Sequence, residues 1–423
     1  MKENIDQTED QYAAYIGIDW ADQKHVFSLQ AAGSSKREDG ILEQKPETIG
    51  AWVAKLQERF QGQTIAIALE QSRGALIHAL LSYDFIVLYP LHPVTVAHFR
   101  KAFKFSGAKS DPLDTRQILE ILTKHRELLR PLNPDTEETR LLGRLVEDRR
   151  KMVNLRTSHI EALGAGLKEY FPQALEVLGD LSTRLACDFI KKWPTFESFQ
   201  HAKPSTLKKF FYGHNLRSPK AMERVLEVAK KGQALTTDAA IVESGSRLAQ
   251  TYAQLISELN PIIEAYEERI QSLFNAHPEA YLFNKLPGAG PAMAPRLLAF
   301  FGTDRSRFQS AENVQSFCGV APTTESSGKS RSVYMRQACP KFDRQTFHEF
   351  ARLSVKTCQW AANYVQYYTD KGKKYQTIIR SLAFKWIRIL FRCWKSKTPY
   401  NEEQYLASLS KRGSVFATLH LKT

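Results

Sequence analysis

Two short apolar runs, each closed by a carboxylate, constrain most strongly what the first part of this chain can fold into. Tyr15-Ile-Gly-Ile-Asp19 and Thr64-Ile-Ala-Ile-Ala-Leu-Glu70 read as buried strands. A charge in the middle of such a strand would be costly, and Asp19 and Glu70 avoid that cost by standing at the ends. Val26-Phe-Ser-Leu-Gln30 and Phe85-Ile-Val-Leu-Tyr89 read as further strands. Helical spacing is predicted over Ile49–Phe60 and Ala75–Leu81, and a basic amphipathic stretch runs from Val94 to Phe105. Strands alternating with helices in the order β-β-α-β-α-β-α predict a sheet covered on its faces, with sites at the strand ends.

The next stretch, Lys109-Ser-Asp111-Pro-Leu-Asp114, opens a helix. Pro112 suits a first helical turn, and Leu113, Ile118, Leu119, Ile121 and Leu122 follow at helical spacing. Asp111 and Asp114, three apart, share one side of that turn and repel each other. A cation between them would remove the repulsion, and Mg²⁺ prefers carboxylate oxygens. Taken alone, the stretch reads rather as an N-capping Asp with a solvated neighbour. With Asp19 and Glu70 delivered to the same place, the four acids would hold two Mg²⁺ ions suited to phosphodiester chemistry.

This arrangement resembles the RNase H-like fold of RuvC-type nucleases, in which an Asp follows the first strand, a Glu a later strand, and Asp-x-x-Asp opens a helix. A dinucleotide-binding fold is disfavoured, because no G-x-G-x-x-G follows the first strand. A sugar-kinase-like ATPase shares the topology, but no P-loop supports it. The charge points the same way. Across 423 residues the formal net charge is +14, which favours a polyanionic partner such as nucleic acid. No stretch is apolar for long enough to span a bilayer, and the N-terminus does not read as a signal peptide. The five cysteines, without a Cys-x-x-Cys pair, read as reduced thiols of a cytoplasmic protein.

Pro131-Leu-Asn-Pro134 reads as a linker. A long helix from Glu137 to Phe171-Pro172 is predicted, and a second from about Ser244 to Phe274. Leu248, Tyr252, Leu255, Leu259, Ile262, Tyr266, Ile270 and Leu273 step by three and four along the second, a heptad seam with Pro261 as its kink. The pair forms an antiparallel hairpin or self-associates. Residues 172–240 form a basic helical insert whose aromatics, among them Trp193, Phe199 and Phe211, read as a small core under a lysine-rich surface. Further on, Leu286-Pro-Gly288-Ala-Gly290-Pro has the look of a helix-hairpin-helix able to hold a DNA phosphate. A basic helix from Tyr375 to Ser396 follows, with Trp386, Leu390, Phe391 and Trp394 on its core face.

Gly319-Val-Ala-Pro322 and Ser327-Gly328 carry a second resemblance. With Lys109-Ser-Asp111-Pro-Leu-Asp114, they make the chain similar to the bridge-RNA-guided serine recombinases of bacterial insertion sequences, the IS one-ten family, relatives of Piv-type invertases. The likeness covers nearly the whole chain. It implies catalytic acids at Asp19, Glu70, Asp111 and Asp114, holding Mg²⁺, and a nucleophilic serine at Ser327, with Ser326 as the off-by-one alternative. It departs from the pattern after Glu70, where Gln71-Ser72-Arg73-Gly74 replaces a common Ala-Thr-Gly, and at Arg336-Gln-Ala-Cys339-Pro340-Lys341. Candidate nucleic-acid contacts are Lys109, Gly288, Gly290, Lys329, Arg331, Arg336 and Lys341. The family's partners would be donor and target DNA, a structured guide RNA, and further copies assembling as two dimers.

The expected organisation is thus a loose N-terminus (1–11), an α/β RuvC-like domain (12–130), a helical coiled-coil segment (131–278) and a mainly α transposase domain (279–400) with a short tail (401–423). The rival readings are a RuvC-like junction nuclease that uses water, and a non-catalytic nucleic-acid-binding protein.

Overall fold

The first apolar run folds as strand β1 (Ala14–Asp19), buried along its length until Asp19. It lies at the centre of a five-stranded sheet in a computed structural model that describes residues 12–71, 73–103, 111–328 and 330–417. The expected loose segment 1–11 lies outside the described residues. Following β1 are β2 (Lys24–Ala31), β3 (Arg37–Glu43), α1 (Pro46–Arg59), β4 (Ile65–Leu69), α2 (Ala75–Leu80), β5 (Ile86–Pro90), α3 (Pro93–Phe103) and α4 (Asp111–Lys124). The strand order is β3-β2-β1-β4-β5. The pairs β1–β2 and β2–β3 are antiparallel, whereas β1–β4 and β4–β5 are parallel. Strand β3 was not expected. It is an edge strand reading Arg-Glu-Asp-Gly-Ile-Leu-Glu, mostly solvent-facing, so it carries little apolar signal.

The strands alternate cleanly between two cores. Ile16, Ile18, Ile65, Ile67 and Leu69 face one way, onto α1 and α2. Tyr15, Ala66, Ala68 and Tyr89 face the other, onto Val96 of α3 and Ile118, Leu119 and Leu122 of α4. The second face is built from small residues where α4 crosses it. A Cβ at Gly17 would stand 2.5 Å from the Thr115 carbonyl oxygen and 2.6 Å from the Leu119 nitrogen, so only glycine admits the helix this closely.

The chain divides into two compact units between Pro134 and Asp135, at the end of the Pro131-Leu-Asn-Pro134 stretch. The second unit begins with α5 (Glu137–Tyr170), capped by the Thr136 side chain, which accepts from the Thr139 amide. Five short helices follow: α6 (Pro172–Leu178), α7 (Arg184–Lys192), α8 (Phe196–Gln200), α9 (Pro204–Gly213) and α10 (Pro219–Lys231). Their aromatics are mostly core, as expected, although Tyr212 is exposed. Phe171 sits about 6 Å, ring to ring, from Phe189, Phe196 and Phe199. The second long helix is α11 (Ala239–Ala276).

Helices α5 and α11 run antiparallel. Thr139 meets His277 at 3.0 Å, Arg149 meets Glu267 at 2.9 Å and Arg156 meets Asn260 at 2.8 Å. The seam differs from the heptad line expected. The buried stripe of α11 is Ala249, Ala253, Ile256, Leu259, Ile263, Ile270 and Phe274. Leu248 and Ile262, both expected in the seam, are 49% and 44% exposed. Ala249 and Ala253 lie within the buried stripe, and the larger Leu248 beside Ala249 looks outward.

The remainder comprises α12 (Ala294–Phe301), α13 (Ala311–Phe317), the strands β6 (Thr323–Ser327) and β7 (Ser330–Tyr334), α14 (Lys341–Ser354), α15 (Gln359–Asp370), α16 (Tyr375–Ser396) and α17 (Glu402–Lys411). One large core joins the start of α5 and the end of α11 to these helices, through Leu142, Val146, Ile270 and Phe274 against Phe301, Phe347 and Trp386. Among the described residues no helix is long and apolar enough to cross a membrane.

Candidate functional site

Asp19 and Glu70 stand at the ends of adjacent parallel strands. Ile18 of β1 is paired with Leu69 of β4, and each acid is the next residue in its chain. Alternation also fixes the face. Tyr15 and Gly17 look toward α4, so Asp19 does too. Ala66 and Ala68 look toward α4, and continuing the alternation by one step puts Glu70 on that side.

Two contacts orient α4. Gly17 meets the helix at Thr115 and Leu119, and Tyr15, nearer the start of β1, receives a hydrogen bond from Arg126 just beyond the helix end (2.8 Å). The helix therefore runs opposite to β1, with its first turn at the Asp19 end of the sheet. Asp114 lies in that turn and is 4% exposed. Asp111 is the first residue of α4, but its side chain, like Lys109, lies outside what is described. Arg116, one turn on, forms an ion pair with Asp39 of β3, which Ser28 of β2 also meets, and this ties α4 to the sheet edge. Three of the four expected acids are thus brought to one end and one face of one sheet. Among the described residues, no group of three or more His, Cys, Asp or Glu converges closely enough to hold a metal ion. The donor set, all carboxylate, is of the type that suits a hard divalent cation.

Ser327 lies in the second unit, at the tip of a two-stranded antiparallel ribbon. It pairs with Ser330, and Gly328 turns the chain with φ +55° and open space where a Cβ would be. Ser326 pairs with Arg331. Neighbouring residues of a strand face opposite ways, so the two serines look to opposite sides of the ribbon, and Arg331 shares the side of Ser326. Arg331, expected as a nucleic-acid contact, thus lies on the ribbon face away from Ser327. Lys329, another expected contact, lies outside the described residues. The ribbon side chains are almost all exposed.

The Gly288–Gly290 stretch is not a pair of helices around a phosphate turn. A single 3₁₀ turn (Ala280–Leu282) precedes it, and α12 follows. Gly288 has φ +80°, and a Cβ there would lie 2.7 Å from the Leu353 carbonyl carbon and the Ser354 nitrogen, so this glycine serves packing against the end of α14. The amides of Met293 and Ala294 already donate to the Gly290 carbonyl, at 2.9 and 3.1 Å. Helix α12 is itself buried nearly all round. The phosphate role expected of Gly288 is thus replaced by packing, whereas Gly290 is exposed beside open space. Arg336 is half-buried just after β7, and Lys341 is exposed at the first position of α14.

Sequence reasoning missed Gly17, Arg344 and His348. The latter two lie four apart on α14, a spacing that was readable, but nothing in sequence marked which helix face they share with Arg336 and Arg380.

Comparison with known proteins places this geometry in a class. A transposase family model, the DEDD type of IS110 elements, matches residues 16–172, which take in all of the acid-bearing sheet but the first two residues of β1, and α4. A second, described as the transposase of the IS116/IS110/IS902 family, matches residues 280–366, which take in the serine ribbon. The chain is similar to a Streptomyces coelicolor protein named "Mini-circle putative transposase for IS117", at 23% identity over 409 residues, covering 95% of this chain and 98% of that one. It is similar to the "Insertion element IS110 uncharacterized 43.6 kDa protein" of the same organism, at 25% identity over 305 residues, 69% of this chain and 72% of that one. It is also similar to the "Insertion element IS116 uncharacterized 44.8 kDa protein" of Streptomyces clavuligerus, at 23% over 391 residues, 90% of this chain and 95% of that one. The protein is a transposase, an enzyme class that cuts and rejoins DNA. More closely, the chain belongs to the IS110/IS116/IS902 family of insertion-sequence transposases.

Proposed function

We propose that the chain transposes its insertion sequence by serine chemistry, with Ser327 as nucleophile and Asp19, Glu70, Asp111 and Asp114 as the acids that hold Mg²⁺. The observation that carries this is the delivery of Asp19, Glu70 and Asp114 to one end and one face of the sheet, by strand register and by the close seat of α4 on Gly17. The strand order β3-β2-β1-β4-β5, antiparallel then parallel, supports the RNase H-like reading of that sheet.

In the reaction the Ser327 Oγ attacks phosphorus. An Oγ–P bond forms, the P–O3′ bond breaks, the serine proton is released, and the departing 3′-oxygen takes up a proton. The chain keeps the 5′-phosphate as an ester, so bond energy is retained and a 3′-hydroxyl can reverse the step on a new partner. Bound Mg²⁺ would polarise the phosphate and stabilise the leaving oxygen. An exposed serine on a narrow ribbon, followed by a glycine with no Cβ neighbours, leaves a DNA strand room to approach.

The same reading gives the protein two macromolecular partners besides itself. DNA supplies the strands, and a structured guide RNA pairs with donor and target, so that side chains need not read the sequence. The chain acts as two dimers, because two duplexes are cut, in the bacterial cytoplasm.

The test is a denaturing gel of full-length protein incubated with element-end DNA and Mg²⁺. Wild type and Ser326→Ala should leave DNA covalently attached to protein, and Ser327→Ala should not. Free ends with no adduct in any variant would replace this reading with water-dependent hydrolysis. Sequencing RNA that copurifies with the protein tests the guide.

A further inference from the structure

The guanidinium groups of Arg344 and Arg380 lie beside the His348 imidazole near the base of the β6–β7 ribbon, and Arg336 follows the ribbon directly. Arg344 and His348 lie one turn apart on α14, on one helix face. Arg380 comes from α16, which packs against α14, and its Nη2 donates to the Met335 sulfur at 3.4 Å. Arg336 follows in the chain, and its carbonyl accepts from Arg344 Nη1 at 3.1 Å. Arg380 and Arg344 both lie close enough to His348 to add to the lowering of its pKa that burial begins.

Among the described residues no carboxylate forms an ion pair with this charge. Glu349, next to His348 on α14, is taken by Arg296 at 2.5 Å and Arg150 at 3.2 Å. Asp343 is engaged as well. The Nε atoms of Arg336 and Arg380 and the Nε2 of His348 are buried without a hydrogen-bond partner. Each such unmade bond is destabilising, and the mutual repulsion of the cations adds to it. A fold that keeps this arrangement with no ion-paired acid among the described residues is built to receive an anion with several oxygens.

The seat is also shaped for it. Gly319, with φ +68°, opens the Gly319-Val-Ala-Pro322 stretch, and a Cβ there would stand 2.3 Å from the Cys339 sulfur and 3.6 Å from Arg344 Cδ. That glycine leaves the space in which Cys339 and the Arg344 stem lie.

We propose that Arg336, Arg344, His348 and Arg380 form a phosphodiester site for the DNA strand at the base of the ribbon whose tip carries Ser327. Thr323 pairs with Tyr334 at that base, four residues from the tip, which is a span of roughly 13 Å. A strand gripped at the base and running to the tip places a neighbouring phosphate at Ser327 and fixes the ribbon against it. These are positioning residues, and the inference rests on the reading of the ribbon as the DNA-facing element.

The experiment uses full-length protein carrying Arg344→Gln or Arg380→Gln, with Arg344→Lys as the charge-keeping control. Affinity for a DNA duplex of arbitrary sequence is measured across a salt series, and thermal unfolding is followed with and without inorganic phosphate. Each Gln variant should lose affinity roughly tenfold and lower the salt slope by about one, because one phosphate contact is gone. Its melting temperature in chloride should hold or rise, and the rise that phosphate gives the wild type should shrink. Arg344→Lys should keep the slope and lose only part of the affinity. Unchanged affinity and slope, or a lowered melting temperature with the phosphate response intact, would mark the cluster as structural and overturn the proposal. Loss of duplex RNA binding with DNA binding unchanged would also overturn it, because the site would then serve RNA. None of these readouts needs cleavage, so an absent serine adduct would leave this result standing, and the converse holds.

Discussion

Asp114 is the acid whose place in the fold is most closely defined, 4% exposed in the first turn of a helix that Gly17 admits to the sheet. Asp114→Asn keeps its shape and removes its charge. We expect DNA cleavage in Mg²⁺ to fall about 10²–10³-fold, a loss typical of removing one stabilising charge from a reacting phosphate or acyl group. The melting temperature should change little or rise, because one member of a like-charged set is gone. Cleavage at the wild-type rate by a folded Asp114→Asn protein would remove the acid site from the mechanism. At this scale much was legible. Asp19 and Glu70 could be read because a buried strand tolerates a charge only at its end. The partner of Arg331 could not be read, because a slip of one residue in a ribbon exchanges its two faces, and only the Ser326–Arg331 pairing fixes it.

Among the elements, α4 depends on a single missing methyl group. Gly17→Ala would push its Cβ into the Thr115 carbonyl and the Leu119 amide, which are backbone atoms that cannot swing aside. We expect a loss of about 1–3 kcal/mol, read by denaturant unfolding, together with lost cleavage as the first turn of α4 is displaced. Wild-type stability and activity in Gly17→Ala would show that the helix is not seated there. A second junction is sensitive to pH. Asp135 is half-buried, which by itself would raise its pKa. Hydrogen bonds from the Thr303 side chain (2.5 Å) and amide (2.7 Å) and from the Thr136 amide (2.8 Å) outweigh burial and hold it below the usual carboxylate range. A lowered native pKa contributes stability that is present above the unfolded value, about 4, and is lost as pH falls through the native one. Asp135→Asn should therefore destabilise the protein at neutral pH and flatten the acid limb of its stability curve. An acid limb as steep as the wild type's in that variant would contradict this. The long helices themselves were legible, since their apolar spacing runs for many turns. Their seam was not, because its buried stripe includes small residues such as Ala249 and Ala253, while the larger, exposed Leu248 and Ile262 advertise a different line. Strand β3 was invisible for the opposite reason, being charged and on an edge. Leu248 and Ile262, exposed two heptads apart, offer a stripe that a second copy can cover. Replacing both with Glu should shift the protein toward monomer in sedimentation, and an unchanged sedimentation profile would rule out that stripe as the contact.

For the whole molecule the governing quantity is its +14 net charge over 423 residues. Ion pairs within the fold, such as Arg149–Glu267 and Arg305–Glu279, use some of the cations, but the excess has no counterpart in the chain itself. Phosphates are the natural partner, and releasing their condensed counterions makes binding steeply salt-dependent. A protein that neutralises about six to ten phosphates loses roughly 10³–10⁵ in affinity between 50 and 200 mM salt. We expect this transposase to fall in that range on duplex DNA of arbitrary sequence, because its backbone contacts carry no sequence information. Choice of site would then have to come from elsewhere, which is where the guide RNA enters the reading. If added guide RNA sharpens the preference for one DNA sequence while leaving the salt slope on non-specific DNA unchanged, affinity and sequence choice are separate, as the charge distribution requires. A salt-independent affinity for duplex DNA would contradict the account of this charge, and strong sequence preference by RNA-free protein would contradict the division of labour.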